Sequence, residues 1–261
     1  IKKGHVIKYR LPRNIIARMQ SLEYDRSFLA ARILLDKINA NMIISGAFGL
    51  FEKKTVIAVG GYDNSTMGED MELVVRLHEF SRMNRKPYKI HFAQDAICWS
   101  QTPEKLSELC KQRKRWQRGL FQCMWGHHKM LANPRYGAVG LLSYLYFLLY
   151  ELLSPFIELL GVLTMVLSVV MDMLNVKFML VFLACYALYG ILLTLTAYFS
   201  RIYTIDQRLS FRELILAIIA CFFETTFLRF SLAFVRATAF VGYKKNKLNW
   251  GKLERKKMNR I

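Results

Sequence analysis

Two groups of side chains in this sequence have the types and spacing to do chemistry. The first is the acidic run Gly68-Glu69-Asp70-Met71-Glu72, which falls where a glycine-broken loop turns into a helical pattern. Asp70 is in register with Leu73, Val74 and Leu77, so its carboxylate is expected on the buried side of that helix, near its start. A carboxylate held there can take a proton from a substrate hydroxyl, because a general base must sit within hydrogen-bond reach and be fixed by its surroundings. Acids at this position also suit a plainer part, accepting from the unpaired N–H groups of a helix N-terminus, and spacing alone leaves both readings open. The second group is Gln112, Arg115, Trp116 and Gly119, whose spacing puts all four on one helix face. An arginine there can grip phosphate oxygens bidentately and stabilise a departing phosphate, while the indole offers a flat surface for a ring. Gly119 lets a neighbouring backbone or a substrate come close. An amphipathic helix lying on a membrane with snorkelling cations is the alternative.

The elements that must carry these groups can be read from periodicity. Residues 14–40 have a helical pattern, with Ile15, Met19, Leu22, Phe28 and Leu29 among polar positions that include Gln20, Glu23 and Tyr24. The apolar run 42–51 predicts a buried strand interrupted at Ser45-Gly46-Ala47, where something can approach the backbone. Gly60 to Asn64 is a turn, a helix is expected over 69–83, and residues 89–99 alternate as a second strand. Thr102-Pro103-Glu104 combines a capping hydroxyl, an early proline and an acid, so an interfacial helix is predicted over 103–131.

Beyond Pro134 the composition changes. Tyr136 to Val176 holds no Lys or Arg, and Phe178 to Phe199 holds no formal charge at all. The second stretch is long enough to span a bilayer, for which about 20 apolar residues suffice. A soluble part over 1–135, a membrane region over 136–243 with apolar blocks at about 139–170, 178–199 and 214–241, and a basic tail over 244–261 are therefore expected. The first block contains Glu151, Pro155 and Glu158 and is expected to break or lie partly in the interface. Its two acids suit either a contact with a polar ligand or a bond between helices, and its aromatics an interfacial belt. The third block contains Glu224, Arg229 and Arg236, too many charges for an unassisted lipid-facing helix. Arg201, Arg208 and Arg212 before it and the basic tail after it both read as cytoplasmic, which makes that block the re-entrant or interfacial one.

The net charge of +19 needs no nucleic acid, since cytoplasmic segments beside anionic lipid are commonly basic. Five cysteines without close pairs or metal spacing predict free thiols. His5, His78, His91, His127 and His128 lack metal-ligand partners at the right spacing, so packing or surface roles are expected of them.

Taken together, Glu69-Asp70, followed some 40 residues later by Gln112-Arg113-Lys114-Arg115-Trp116 and then by apolar blocks, resembles the processive family 2 glycosyltransferases, which include cellulose, hyaluronan and poly-N-acetylglucosamine synthases. Ser45 to Gly49, Gly60-Gly61-Tyr62, Gly68 to Leu73 with Arg76-Leu77, and Trp250 to Arg255 extend the resemblance to the bacterial members over nearly the whole chain. It implies an α/β fold, a partial GT-A (Rossmann-like) domain followed by an interfacial helix and a membrane region. It further implies Asp70 as catalytic base with Glu69 beside it, and Gln112, Arg115 and Trp116 binding the nucleotide diphosphate and the acceptor end. Ser45, Gly46 and Ala47 would line the acceptor pocket. The implied partners are a UDP-sugar or similar donor, a growing glycan and the bacterial inner membrane, with catalysis on the cytoplasmic side. The family's metal-binding Asp-x-Asp does not occur in the sequence, so the Mg²⁺ or Mn²⁺ expected of a complete enzyme has no ligand set here. The numbering is expected to start inside a longer chain whose other half, or a partner chain, binds the donor. A non-catalytic membrane subunit that binds glycan or a partner chain is the competing expectation.

Overall fold

The computed structural model describes residues 11–204, except 95 and 97, and residues 210–243. His5, Arg208, the tail 244–261 and its Trp250 to Arg255 stretch lie outside the described residues. The described chain is helical: α1 (Ile15–Arg26), α2 (Ile33–Lys37), α3 (Lys53–Ala58), α4 (Glu69–Met83), α5 (Leu106–Gly126), α6 (Val139–Leu152), α7 (Ser154–Val170), α8 (Val176–Thr204) and α9 (Phe211–Phe240).

Among the described residues there is no strand, so neither 42–51 nor 89–99 forms the strand expected of it. The reason is where the backbone groups go, since a strand needs a ladder partner for each of them. The N–H groups of Ile90 and Phe92 donate to the side chains of Asn39 (2.9 Å) and Asp36 (2.7 Å), and the Tyr88 carbonyl accepts from the Asn39 amide (3.0 Å). Just before the other segment the Asn41 carbonyl pairs with His78, and within it Gly46 donates to Asp70 and Phe48 closes a turn on Ser45.

Helix starts follow local chemistry. Asn14 caps α1, its Oδ1 accepting from the N–H groups of Ile16 (2.9 Å) and Ala17 (3.1 Å). The same residue's amide donates to the Glu104 carbonyl (3.2 Å), and buried Gln20 donates to that of Pro103 (2.8 Å). Side chains of α1 thus hold those two carbonyls outside a helix, and α5 begins at Leu106 and ends at Gly126, short of the predicted 103–131 at both ends.

Two cores knit the helices together. In one, Met71 and Val75 of α4 and Cys123 and Met124 of α5 meet Tyr136, Val139, Tyr144, Phe147 and Leu152. In the other, Met19 and Leu22 of α1 and Leu109 of α5 meet Tyr198 and Ile202 of α8 and Ala217, Ala220 and Cys221 of α9. Packing therefore crosses the boundary expected at 135, because buried aromatics of α6 complete the core of α4 and α5.

α8 and α9 are each long and apolar enough to cross a membrane, while α6 and α7 form a pair bent by 47°. The break falls at Leu153, just before Ser154-Pro155, as proline's missing N–H and fixed φ favour a new helix start. Residues 211–240 form one long helix with a π-turn at Glu224–Leu228, so the break lies in the first apolar block and not in the third. The three charges within the apolar part of α9, Glu224, Arg229 and Arg236, each have a partner, as charges in such a helix require. Glu224 takes two bonds from Arg26 (2.7 and 2.8 Å), Arg229 reaches Glu158 (2.8 Å), and Arg236 donates to Gln117 of α5 (2.8 Å).

Candidate functional site

The start of α4 and the middle of α5 meet backbone to backbone. A Cβ placed on Gly119 would fall 2.8 Å from the Gly68 nitrogen, and one on Gly68 would fall 3.1 Å from the Gly119 carbonyl carbon. Only glycine at both positions permits this approach. One turn further along α5, the Gln122 Oε1 accepts from Met67 N–H (2.8 Å) and from the Thr66 hydroxyl (3.1 Å). The turn that delivers Glu69 and Asp70 is thereby held against the helix that carries Gln112, Arg115 and Trp116.

Asp70 stands at this junction, half-buried. Its Oδ1 accepts from Met71 N–H (2.8 Å), taking one orphan donor of the helix end, and its Oδ2 accepts from Gly46 N–H (3.0 Å) across 24 residues of sequence. A side chain at Gly46 would sit 3.4 Å from Oδ2, so glycine keeps that approach open. Ser45 and Ala47 flank it in the same turn, and Gly46 and Ala47 are exposed. Partial burial raises the pKa of Glu69, the Asp70 charge adds to this, and Arg115 opposes it. The structure thus brings Ser45 to Ala47, Glu69, Asp70 and Arg115 into one region.

Trp116 faces the α1 side of the same helix. The Trp116 ring lies 6.4 Å from Tyr24, and the Arg113 guanidinium packs 4.7 Å from the Trp116 ring centre. Arg113 also bonds Glu23 (2.5 Å). Trp116 keeps 40% of its surface exposed, a flat face open to a ligand. The Gln112 Oε1 is buried with no hydrogen-bond partner among the described residues, a costly arrangement that a ligand donor would relieve.

Sequence reasoning passed over four contributors. Glu23 and Arg113 form the ion pair that braces Trp116, and Gln122 holds the loop before Asp70. Arg32 lies 4.0 Å over the Phe28 ring, with desolvation bringing its pKa down to about 10 against the opposing charges of Asp70 and Glu151. Helical register alone, with Gln122 three residues beyond Gly119 and Arg113 three before Trp116, could have found two of them; the approach of Arg32 depends on the π-turn over Ser27–Arg32 and has no sequence signal.

The chain matches the family model for "Glycosyl transferase family group 2" over residues 4–241. Among curated proteins it is 32% identical over 120 residues to the poly-beta-1,6-N-acetyl-D-glucosamine synthase of Staphylococcus aureus (strain COL), covering 46% of this chain and 26% of that protein. The synthase of the same name from Staphylococcus epidermidis is 31% identical over a stretch of the same extent. The matched stretch spans about a quarter of the length of these relatives. No solved structure matches. With a family match over most of its length, and two acids and an arginine-tryptophan helix drawn together by a pair of glycines, the chain belongs to glycosyl transferase family group 2.

Proposed function

We propose that this chain carries the acceptor side of a membrane-bound, inverting, GT-A-type glycosyltransferase that moves a sugar from a nucleotide-sugar donor to a growing glycan. The observation that carries the reading is the Gly68–Gly119 contact, which sets the Asp70 carboxylate beside the helix of Gln112, Arg115 and Trp116. Asp70 acts as general base on the acceptor hydroxyl, held in aim by the Gly46 N–H. The oxygen so activated attacks the anomeric carbon from the face opposite the leaving diphosphate, which inverts that centre. Arg115 stabilises charge on the departing diphosphate, and Gln112 and Trp116 seat the acceptor end, the indole stacking on a sugar ring. The names of the relatives favour N-acetylglucosamine as the sugar and a β-linked polymer as the product.

Among the described residues no group of three or more His, Cys, Asp or Glu is placed to hold a metal ion. The described residues do not fit a divalent ion. The two apolar helices and the basic flanks support a place in a bacterial plasma membrane with Asp70 on the cytoplasmic face. Both ends of α9 touch the soluble helices, through Met19, Leu22 and Leu109 near its start and through Gln117 and Arg118 near its end, which favours a course along that layer.

The test is incorporation of label from a panel of UDP-sugars, UDP-N-acetylglucosamine among them, by membranes holding the full-length protein or its Asp70→Asn variant, with Mg²⁺ or Mn²⁺. Transfer by the wild type and its loss in the variant support the assignment. Transfer by both removes Asp70 from the role of base, and transfer by neither moves a non-catalytic, glycan-binding subunit ahead of the enzyme.

A further inference from the structure

At the far end of α4 from Asp70 the surface opens into a cleft of about 720 Å³ lined by Arg82, Arg85, Lys86, Tyr88 and Arg135, with no acidic residue in its wall. None of the ion pairs among the described residues uses any of these four cations. Glu79, one turn back along α4, is bonded to His127 (2.7 Å). A cluster of like charges with no counter-charge is unfavourable by itself and focuses a positive field into the cleft. The carbonyl end of α4 favours a cation or two nearby, but Arg135 comes from a different element and needs another account.

The cleft is built as well as charged. Arg82 donates from Nε to the Tyr88 hydroxyl (3.1 Å) and lies against Gly137, where a Cβ would stand 3.2 Å from the guanidinium carbon. Its two outer nitrogens are thus held in one orientation. Arg85 has φ of 51°, a left-handed conformation that an arginine adopts at a cost. Arg135 sits in the turn Pro134–Tyr136, four residues before α6 begins at Val139. The chain enters its apolar helices from the rim of this cleft.

We propose that the cleft of Arg82, Arg85, Lys86 and Arg135 binds the phosphate of an anionic phospholipid headgroup. Guanidinium forks match phosphate oxygens bidentately, and basic pockets beside membrane helices are suited to headgroups of this class. The position beside the entry to α6 favours lipid over a soluble phosphate, because a headgroup is concentrated at the surface that the apolar helices enter. The site stands apart from the transfer reaction, and its test does not depend on it.

The experiment is native mass spectrometry of the full-length protein released from detergent with phosphatidylglycerol or phosphatidylcholine of identical acyl chains. The wild type binds phosphatidylglycerol preferentially. The variant Arg85→Glu/Arg135→Glu loses about tenfold of that preference, on the scale expected for cations beside an anionic surface. The variant Lys53→Glu/Lys54→Glu makes the same change in net charge at exposed positions of α3 and keeps the preference. Arg85, Lys86 and Arg135 are exposed, so the fold tolerates the change. Arg85→Gly/Arg135→Gln provides a second variant in which glycine suits the left-handed backbone, and it too loses the preference. An equal preference in cleft and control variants overturns the proposal. Displacement of the lipid by millimolar inorganic phosphate overturns the choice of lipid and assigns the cleft to a soluble phosphate.

Discussion

The two halves of α4 use titratable side chains in opposite ways. At its start, Asp70 is half-buried and accepts two backbone bonds, with surface still open toward the exposed Gly46 turn. Two turns later His78 is fully buried, with Nδ1 bonded to the Tyr88 hydroxyl (2.6 Å) and Nε2 to the Asn41 carbonyl (2.8 Å). Every hydrogen-bonding position of the imidazole is used, so it can fix residues 41 and 88 but exchange nothing with a ligand. A titratable group available for chemistry is one the fold orients without saturating, and this contrast on one helix separates a reactive candidate from a structural one better than residue type does.

The largest effect that sharpens the contrast is expected from Asp70→Asn. Transfer should fall by about a hundredfold to ten-thousandfold, the range for a lost general base, while the unfolding free energy measured by denaturant stays within about 0.5 kcal/mol. Destabilisation comparable to a core substitution would instead make Asp70 a structural residue like His78.

Next in size is the acid response of His78. Desolvation is the main reason its pKa falls to about 4 from 6.5, with the Arg82 charge adding to it. A folded value below the unfolded one means the protein binds fewer protons when folded, so the stability is present above about pH 6.5 and lost as pH falls toward 4. The loss is on the order of 3 kcal/mol. Denaturant unfolding at pH 7 and pH 4 should show this drop in the wild type and a much smaller one in His78→Gln. Equal drops in both would mean that the imidazole is less sealed than its two bonds indicate.

Gly119→Ala tests the seam between the two motifs. A methyl group 2.8 Å from the Gly68 nitrogen must push α4 and α5 apart, costing about 2 kcal/mol as overpacking usually does. Transfer should fall along with the melting temperature, which Asp70→Asn does not do. The smallest effect concerns His127, which bonds Glu79 (2.7 Å) and lies 3.4 Å from Glu72. Burial opposes its charge, but the hydrogen bonds and charges of Glu72 and Glu79 outweigh this and raise its pKa. Its contribution, about 1 kcal/mol, is complete below the unfolded value of 6.5 and lost as pH rises through the higher folded value. The stability gap between wild type and His127→Gln should therefore be open at pH 6 and closed at pH 9.

Much of this arrangement is legible in the sequence and some is not, for physical reasons. The helices of the two motifs show because their periodicity extends over several turns, and the apolar blocks show because charge is missing over long runs. The strands expected from an apolar run at 42–51 and from alternation at 89–99 do not form, because such patterns report which faces a segment can bury and say nothing about who takes its backbone bonds; here Asn39, Asp36 and Asp70 take several of them. The shared face of Gln112, Arg115, Trp116 and Gly119 is readable from spacing, whereas the partner of Gly119 is a glycine about 50 residues away that no local pattern names. The bend at Leu153 follows from proline, but the packing of α6 against α4 and α5 depends on the tertiary fit of Tyr144 and Phe147.

The mixed cores carry a consequence for anyone wishing to simplify this molecule. Gln117 donates to the Leu152 carbonyl (2.9 Å) and accepts from Arg236, while Arg118 donates to the Ala239 carbonyl (2.7 Å), so the helix bearing the arginine-tryptophan pair is bolted to apolar helices on its reverse side. Among the described residues there is no seam along which a water-soluble fragment could be excised with its site intact. Trimming at residue 135 would strip Val139, Tyr144, Phe147 and Leu152 from the core and leave Met71 and Met124 facing solvent. The cores join α1, α4, α5, α6, α8 and α9, so amphiphiles around the whole preserve the site where cutting at residue 135 does not.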